Sequence, residues 1–275
     1  MSKDIFDVIR DLRAEGRPFA VATVVETVGS VSAKTSSKAV VDEKGRVVAG
    51  WVGGGCAESA TCHTALECIE SGQTTVLEID LDDEVLGAGM PCGGHMRVYV
   101  EPMLPRPALW IMGHGRVAEC LCSTGDMLGL DVVVNDPVAD RERFPAATRL
   151  VTDDPDYDAL APKPGDFVVI ATQHKGDHES MQRALASDAR YIALIASRKR
   201  SRLVLDYLRG KGIAEDGLDR VMAPSGLDLG ARTPEEIALC VMSEIVLVRR
   251  GGTGMRMRDK LREENGLPKL QSVGT

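Results

Sequence analysis

Two glycine-rich loops that each carry one cysteine are the parts of this sequence most suited to chemistry. The candidate residues that they contribute are Gly53, Gly54, Gly55, Cys56 and Glu58 in the first loop, and Cys92, Gly93 and Gly94 in the second. Three consecutive glycines are costly in conformational entropy, so we expect the backbone there to need unusual dihedral angles or close contact with a ligand. Cys56 is expected to begin a helix, where the helix dipole favours a thiolate. Glu58 could then satisfy backbone donors or bind a ligand hydroxyl or ammonium group.

The cysteine spacing does not favour a zinc site. Cys56 and Cys92 could bind a metal together with His95, but the sequence contains no Cys-x-x-Cys pair and no second pair of ligands. Cysteines on glycine loops fit better with a ligand pocket in which a thiol touches the bound group. Cys62 and Cys68 follow Cys56 along the same helix, and we expect both to pack within the protein.

A third glycine loop predicts a dinucleotide-binding turn. An apolar stretch at residues 109–112 leads into Gly-x-Gly-x-x-Ala, which begins with Gly113, His114 and Gly115. A helix-compatible stretch follows, and then a second strand that ends in Asp136, where a carboxylate can bond ribose hydroxyls. Asp136 lies 23 residues after Gly113, close to the usual spacing. A strand, a glycine turn, a helix and a second strand that ends in an acidic residue follow one another here. This order predicts a Rossmann-type unit.

Polar segments after other strands are candidates for anion binding. His174 follows the apolar strand at residues 166–172, and Ser197 and Arg198 open a run with four basic residues in the five positions 198–202. Lys34 and Lys38 lie among small hydroxyl residues in the segment 27–38. The alternatives are an ordinary basic helix face for the first run and a solvated connection for the second.

The order of predicted elements indicates an α/β protein with two domains and a tail. A smaller α+β domain covers residues 1–104, a Rossmann-like parallel-sheet domain covers residues 105–250 after a proline-rich boundary, and a flexible tail covers residues 251–275. The predicted helices are 4–16, 56–71, 116–128, 179–187, 203–211 and 234–249, and the predicted strands are 19–25, 38–50 (a hairpin), 73–81, 96–102, 109–112, 130–136, 166–172 and 191–196.

Composition excludes several classes of partner. A net charge of −8 argues against non-specific binding to nucleic acid or to an anionic membrane, and 4% aromatic residues offer little for stacking on single strands. No apolar run approaches the roughly 20 residues that span a bilayer, and the acidic N-terminus does not resemble a signal peptide. We therefore expect a cytoplasmic protein in which the seven cysteines are thiols.

Several sequence segments together resemble the XdhC/CoxI family, whose members are accessory proteins of the large molybdenum hydroxylases. The segments that carry the resemblance are Gly29-Ser30, Gly53 to Glu58, Cys92-Gly93-Gly94, Glu101-Pro102, Gly113 to Ala118, Thr172 to Asp177, Ala196 to Lys199 and Pro224 to Ala238. The last segment is the most specific, and the resemblance extends to about Arg250.

The resemblance implies a maturation factor rather than an enzyme. Such a protein would bind a molybdopterin-type cofactor, as the mono- or cytosine dinucleotide form, and assist its sulfuration by a cysteine desulfurase. It would then insert the cofactor into a target molybdenum hydroxylase of the xanthine dehydrogenase or carbon monoxide dehydrogenase type. Cys56 and Cys92 would approach the metal end, contacting molybdenum or copper or handling sulfur, while the Rossmann half would hold phosphate or another nucleotide. A homodimer is also expected.

This sequence departs from the family pattern at three places. Residues 31–34 lack the usual Pro and Arg, Asp136-Pro137-Val138 lacks an arginine, and Ala196 stands where glycine is common. The first and third departures remove the family's usual anion contacts or shift them to Lys34 and Lys38. Divergence of this kind suggests a specialised paralogue.

Two other functions are consistent with the residues. An NAD(P)-dependent oxidoreductase would use the N-terminal half as its substrate domain and His114 or His174 for acid–base work. A protein-interaction adaptor would retain only a vestigial nucleotide pocket. Binding of NAD with turnover would favour the former, and absence of any pterin would favour the latter.

Overall fold

The computed structural model describes residues 4–80, 94–172 and 176–266. Contacts divide the chain into two compact units, Met1–Arg106 and Pro107–Thr275. Each unit has its own sheet and its own hydrophobic core.

The first unit is a five-stranded antiparallel sheet in the order β3-β2-β1-β5-β4, with a helix on each face. Its elements are α1 (Ile5–Ala14), β1 (Phe19–Gly29), β2 (Lys38–Asp42), β3 (Val47–Gly50), α2 (Cys56–Ser71), β4 (Thr75–Asp80) and β5 (Gly94–Met103). Ala22 and Val24 of β1 pack with Cys68 of α2, whereas Phe19 and Val21 pack on the other face with α1. This alternation follows from the two-residue period of a strand.

The antiparallel register brings three connections to one end of this sheet. Thr23 pairs with Lys38, Ala39 pairs with Gly50, and Gly29 pairs with Gly94. The connection from β1 to β2 and the connection from β3 to α2 therefore start at this end. β4 also ends and β5 also begins at this end, because Asp80 pairs with His95.

The second unit is a six-stranded parallel sheet in the order β11-β10-β9-β6-β7-β8. Its elements are β6 (Ala108–Met112), α3 (Arg116–Met127), β7 (Asp131–Asn135), β8 (Arg149–Val151), β9 (Phe167–Ile170), α4 (Asp177–Leu185), β10 (Tyr191–Leu194), α5 (Arg198–Gly210), α6 (Glu215–Leu218), β11 (Val221–Met222), α7 (Pro234–Arg250) and α8 (Met257–Glu264). Read from β8, the strand order is 3-2-1-4-5-6, the doubly wound Rossmann order. The predicted α/β fold class, with a Rossmann-like C-terminal sheet, is confirmed.

Helices cover both faces of the parallel sheet. Leu109 and Ile111 of β6 face the core that α3 and α7 close, while Trp110 and Met112 face the core that α4 and α5 close. Burial on both sides explains why these strands are apolar throughout rather than alternating.

The observed N-terminus of α7 is the one that the sequence predicts, whereas that of α5 lies earlier than predicted. Thr233 and Glu236 form the predicted capping box, in which each side chain accepts a hydrogen bond from the other residue's backbone N–H. α5 begins at Arg198 rather than near Leu203, because Ser197 caps it by accepting from the Arg200 N–H. The basic run is therefore the first turn of a helix.

The sequence pattern does not predict three short elements and one longer helix. β8, α6 and β11 have two to four residues each, too few for a period to show. α8 lies within the segment expected to be a tail. Within the described ranges, no helix is both long enough and apolar enough to cross a membrane.

We expect Gly113→Ala to destabilise unit 2 by at least about 2 kcal/mol, a shift of several degrees in Tm. Gly113 has φ +132°, and a Cβ there would lie 2.4 Å from the Ala171 carbonyl oxygen. Gly210→Ala is the matched control, because its φ is not positive and a Cβ there meets nothing within 4 Å. Thermal denaturation followed by circular dichroism measures both variants. Equal Tm values for the two would contradict the expectation.

Candidate functional site

In unit 1, the loop that precedes α2 presents a helix N-terminus to open space. Cys56 is the first residue of α2 and is exposed, in the position that the sequence predicts. Gly55 precedes it with φ 58° and ψ −122°, a backbone conformation that favours glycine. Among the described residues, no side chain caps this terminus. The first-turn N–H groups of α2 are thus available to an anion or another acceptor.

The three glycines of this loop have different surroundings. A Cβ built at Gly53 would lie 3.2 Å from Ala57 Cβ, so this glycine packs against its own helix. A Cβ at Gly54 or Gly55 would meet nothing within 4 Å. Gly54 and Gly55 therefore leave the backbone open to a ligand.

Two of the predicted loop regions lie against the same segment after β1. A Cβ at Gly53 would be 3.9 Å from Ser32 Oγ, and a Cβ at Gly94 would be 2.9 Å from Val31 Cγ2. The structure thus brings Gly53 and Gly94 to neighbouring residues of the segment 30–33. Cys92 and Gly93 lie outside the described residues.

The lysines of this region differ in their contacts. Lys38 donates from Nζ to Thr23 Oγ1 at 2.8 Å on the adjacent strand. Lys34 is exposed, and its backbone N–H donates to Ser37 Oγ at 3.2 Å. Lys34 is therefore the better placed of the two to meet an anion, while Lys38 would first have to leave Thr23.

Burial separates Cys56 from the other described thiols. Cys68 and Cys240 are buried, and burial raises the pKa of Cys122 to about 11. Burial also raises the pKa of the half-buried Cys62, helped by the charge of Glu58 nearby. A raised pKa leaves little thiolate at neutral pH. These cysteines are therefore packing residues, as expected for Cys62 and Cys68.

In unit 2, the candidate site lies where the strand order reverses. The connections after β6 and β9 touch at Gly113 and Ala171, between the first and fourth strands of the unit. Ligands of doubly wound sheets bind in the crevice at such a switch point. Gly115 precedes α3, and in the described part of the chain no side chain caps that helix either. The predicted Gly113–Gly115 turn thus lies at the crevice, beside an accessible helix N-terminus.

His114 and Asp136 meet across this turn. His114 Nδ1 lies 2.9 Å from Asp136 Oδ2, a close polar contact that does not have the geometry of a well-formed hydrogen bond. Asp136 Oδ1 accepts the Val138 N–H at 3.0 Å. The sequence named both residues as candidates but did not predict their contact.

Arg143 contacts the turn from the connection after β7, and sequence reasoning missed it. Its Nη2 donates to the His114 carbonyl oxygen, and its Nε donates to Glu119 Oε1 at 2.8 Å. Glu119 also accepts from Arg116, and its pKa is lowered first by the bond from Arg143 and then by that from Arg116. Arg116 in turn contacts Glu235 at the start of α7. An open groove of about 600 Å³ lies along this chain of charges.

Tyr157 is a second residue that sequence reasoning missed. It has φ +57°, a rare conformation for a non-glycine residue, and its hydroxyl lies where a Cβ of Gly176 would be. Burial raises its pKa, and the charge of Asp136 adds to this. A positive φ at tyrosine has no signal in the sequence.

The segments after β9 and β10 are joined by an ion pair on a buried carboxylate. Arg200 donates from Nε to Asp177 Oδ2 at 2.8 Å, and Thr172 Oγ1 donates to Asp177 Oδ1. Ser197 and Arg198 are exposed at the N-terminus of α5. The basic run is thus divided between an internal residue, Arg200, and exposed positions. His174 lies outside the described residues.

Among the six cysteines in the described ranges, we expect alkylation to begin at Cys56. Exposure should make Cys56 react with iodoacetamide at least about tenfold faster than Cys122, whose raised pKa and burial suppress the thiolate. Peptide mass spectrometry over a time course measures the rates. The Cys56→Ser variant identifies the fast peptide, and denatured protein should remove the difference. Native Cys122 or Cys240 reacting as fast as Cys56 would contradict this ordering.

Two family models match the sequence, one in each unit. The model described as the XdhC and CoxI family matches residues 12–80, and the XdhC Rossmann domain matches residues 109–245. Together the matches cover about three quarters of the chain.

Curated relatives are similar over most or part of the chain. The uncharacterized protein YqeB of Escherichia coli (strain K12) is 31% identical over 258 residues, 91% of this chain and 47% of its own length. A protein of Bacillus subtilis (strain 168) described as a probable xanthine dehydrogenase subunit is 27% identical over 159 residues, 56% of this chain and 46% of that protein. The molybdenum cofactor insertion chaperone PaoD of Escherichia coli (strain K12) is 24% identical over 269 residues, 85% of this chain and 84% of that protein. The chain spans about half the length of the first two.

A crystal structure described as a xanthine dehydrogenase from Bacillus halodurans is similar over 92% of this chain and 97% of that chain, with a TM-score of 0.49 and 20% identity. The family assignment does not depend on this similarity, because it rests on the two sequence matches. The first includes β1 to β4, the second runs from Leu109 of β6 through β11, and β5 lies between them. On these two matches, the chain belongs to the XdhC/CoxI family.

Proposed function

We propose that this protein is a maturation factor that binds a molybdopterin-type cofactor and delivers it to a molybdenum hydroxylase. Membership of the XdhC/CoxI family and similarity to PaoD, described as a molybdenum cofactor insertion chaperone, support this function. The observation that carries the proposal is the uncapped N-terminus of α2, with open backbone at Gly54 and Gly55 and an exposed thiol at Cys56.

The chemistry of this loop fits such a cofactor. A molybdopterin carries a phosphate and a metal–dithiolene group, which call for N–H donors and for a soft ligand. The first turn of α2 offers N–H groups to an anion, and a cysteine thiolate is a soft ligand. Bound cofactor would supply the molybdenum centre on which the target enzyme depends, while Cys56 would contact its metal end or handle its sulfur.

We assign further roles to other residues and to partners within this proposal. Cys92 and Gly93 would complete the loop site, and Glu58 would bind a ligand hydroxyl or ammonium group. Unit 2 would hold a phosphate or nucleotide through the Gly113–Gly115 turn, Asp136 and the N-terminus of α5. A cysteine desulfurase would supply sulfur, and a xanthine dehydrogenase or carbon monoxide dehydrogenase would receive the cofactor. The protein would act as a homodimer in the cytoplasm.

Cys56→Ser should lower the cofactor content of protein purified from a cofactor-sufficient host about tenfold, because it removes the soft ligand. Pterin fluorescence after oxidation and molybdenum by mass spectrometry measure the content. Cys120→Ser is the matched control: a half-buried thiol on α3 of unit 2, which should keep full content.

Gly54→Ala provides a second, independent variant. A methyl group there enters open space, so the fold and Tm should be unchanged while cofactor content falls. Full content in Cys56→Ser, Cys92→Ser and Gly54→Ala would exclude the loop from cofactor binding. A wild-type protein with neither pterin nor molybdenum would contradict the proposed function and favour the adaptor.

A nicotinamide-dependent oxidoreductase is the second candidate, and the contact of His114 with Asp136 favours it. A histidine beside a carboxylate can act as a general acid or base. We expect NAD⁺ or NADP⁺, each supplied with a panel of small alcohols and hydroxy acids as hydride donors, to give no reduced nicotinamide, because Asp136 occupies the ribose-binding position of the fold rather than a substrate site. Calorimetry combined with nicotinamide absorbance tests this. Tight binding with turnover that is lost in His114→Ala would establish the enzyme instead.

A further inference from the structure

We propose that His114 determines the nucleotide preference of unit 2, because its imidazole contacts the Asp136 carboxylate and blocks the position where a ribose diol would bind. This inference rests on the proposed nucleotide site at the Gly113–Gly115 turn. It adds that the site selects ligands by their phosphates and not by their ribose hydroxyls.

The imidazole contacts the one oxygen of Asp136 that the local backbone does not use. Oδ1 accepts the Val138 N–H at 3.0 Å, and Oδ2 lies 2.9 Å from His114 Nδ1. The Asp136 side chain is only 14% exposed. A diol that binds both carboxylate oxygens must therefore displace the His114 ring.

The backbone of His114 is fixed on both sides, so the ring is directed toward Asp136. The Gly113 N–H donates to the Asn135 carbonyl oxygen at 3.2 Å, and Gly113 cannot shift toward β9 because Ala171 is in close contact. Arg143 donates to the His114 carbonyl oxygen and is itself held by Glu119. The adjustable part of His114 is therefore its side chain, which is 29% exposed.

Displacing the imidazole costs free energy. His114 Nδ1 lies 2.9 Å from Oδ2 of a carboxylate that is only 14% exposed, so the ring is a polar neighbour of this oxygen in place of water. Rotation of the ring toward solvent would expose Oδ2. Binding of a ribose diol then has to repay that rotation, so the hydroxyls add little net affinity in the wild-type protein.

The test compares ADP with 2′,3′-dideoxy-ADP, which lacks both ribose hydroxyls, by isothermal titration calorimetry. We expect the wild-type protein to bind the two with dissociation constants within about twofold of each other. His114→Ala should bind ADP about tenfold more tightly, since a hydrogen bond to a charged group becomes available, and should bind 2′,3′-dideoxy-ADP with little change.

The control is the double variant His114→Ala/Asp136→Asn, which should lose the gain for ADP because the charged acceptor is gone. Tm values confirm folding, and His114→Ala removes a side chain from a turn whose φ at that residue is not positive. Equal gains for both nucleotides, or no gain for ADP, would overturn the role of His114 while leaving the nucleotide site intact. Absence of ADP binding by the wild type and by His114→Ala would overturn the nucleotide site and this inference together.

Discussion

The contact between Gly113 and the Ala171 carbonyl is the constraint on which unit 2 depends. It joins the ends of β6 and β9, the two strands at which the order of the sheet reverses. Any side chain at Gly113 would push the ends of β6 and β9 apart and so widen the crevice between them. Asn135, Arg143 and Asp136 then hold the turn in the geometry that the contact allows.

In unit 1, strand pairing rather than one close contact positions the glycine loops. Among the described residues, its antiparallel register places the end of β1, the end of β3 and the start of β5 at one end of the sheet, so strand pairing alone brings Gly53 and Gly94 to the same region. Cys56 is directed by the start of α2, a covalent neighbour, rather than by distant residues. Sheet topology thus positions the glycine loops of unit 1, whereas close packing of Gly113 against Ala171 positions the glycine turn of unit 2.

Local patterns predict the longer elements other than α8, and they predict the positions of Cys56, Gly113 and Asp136, because each follows from a strand end, a helix start or a motif spacing. Contacts between distant residues are not predictable in this way. Arg143 reaches His114 across 29 positions, and Arg200 reaches Asp177 across 23, with nothing in the composition of either segment to indicate the partner. The sequence pattern places the start of α5 too late because a basic run conceals the Ser197 cap.

The exposure of Cys56 also bears on how the protein would respond to oxidants. The other described thiols are at least half-buried, so oxidation within the described ranges would start at this one position. A sulfenic acid there can be reduced by cellular thiols, whereas higher oxidation states are irreversible. The same exposure that leaves the thiol open to a cofactor therefore makes it the first point of oxidative damage when no ligand covers it.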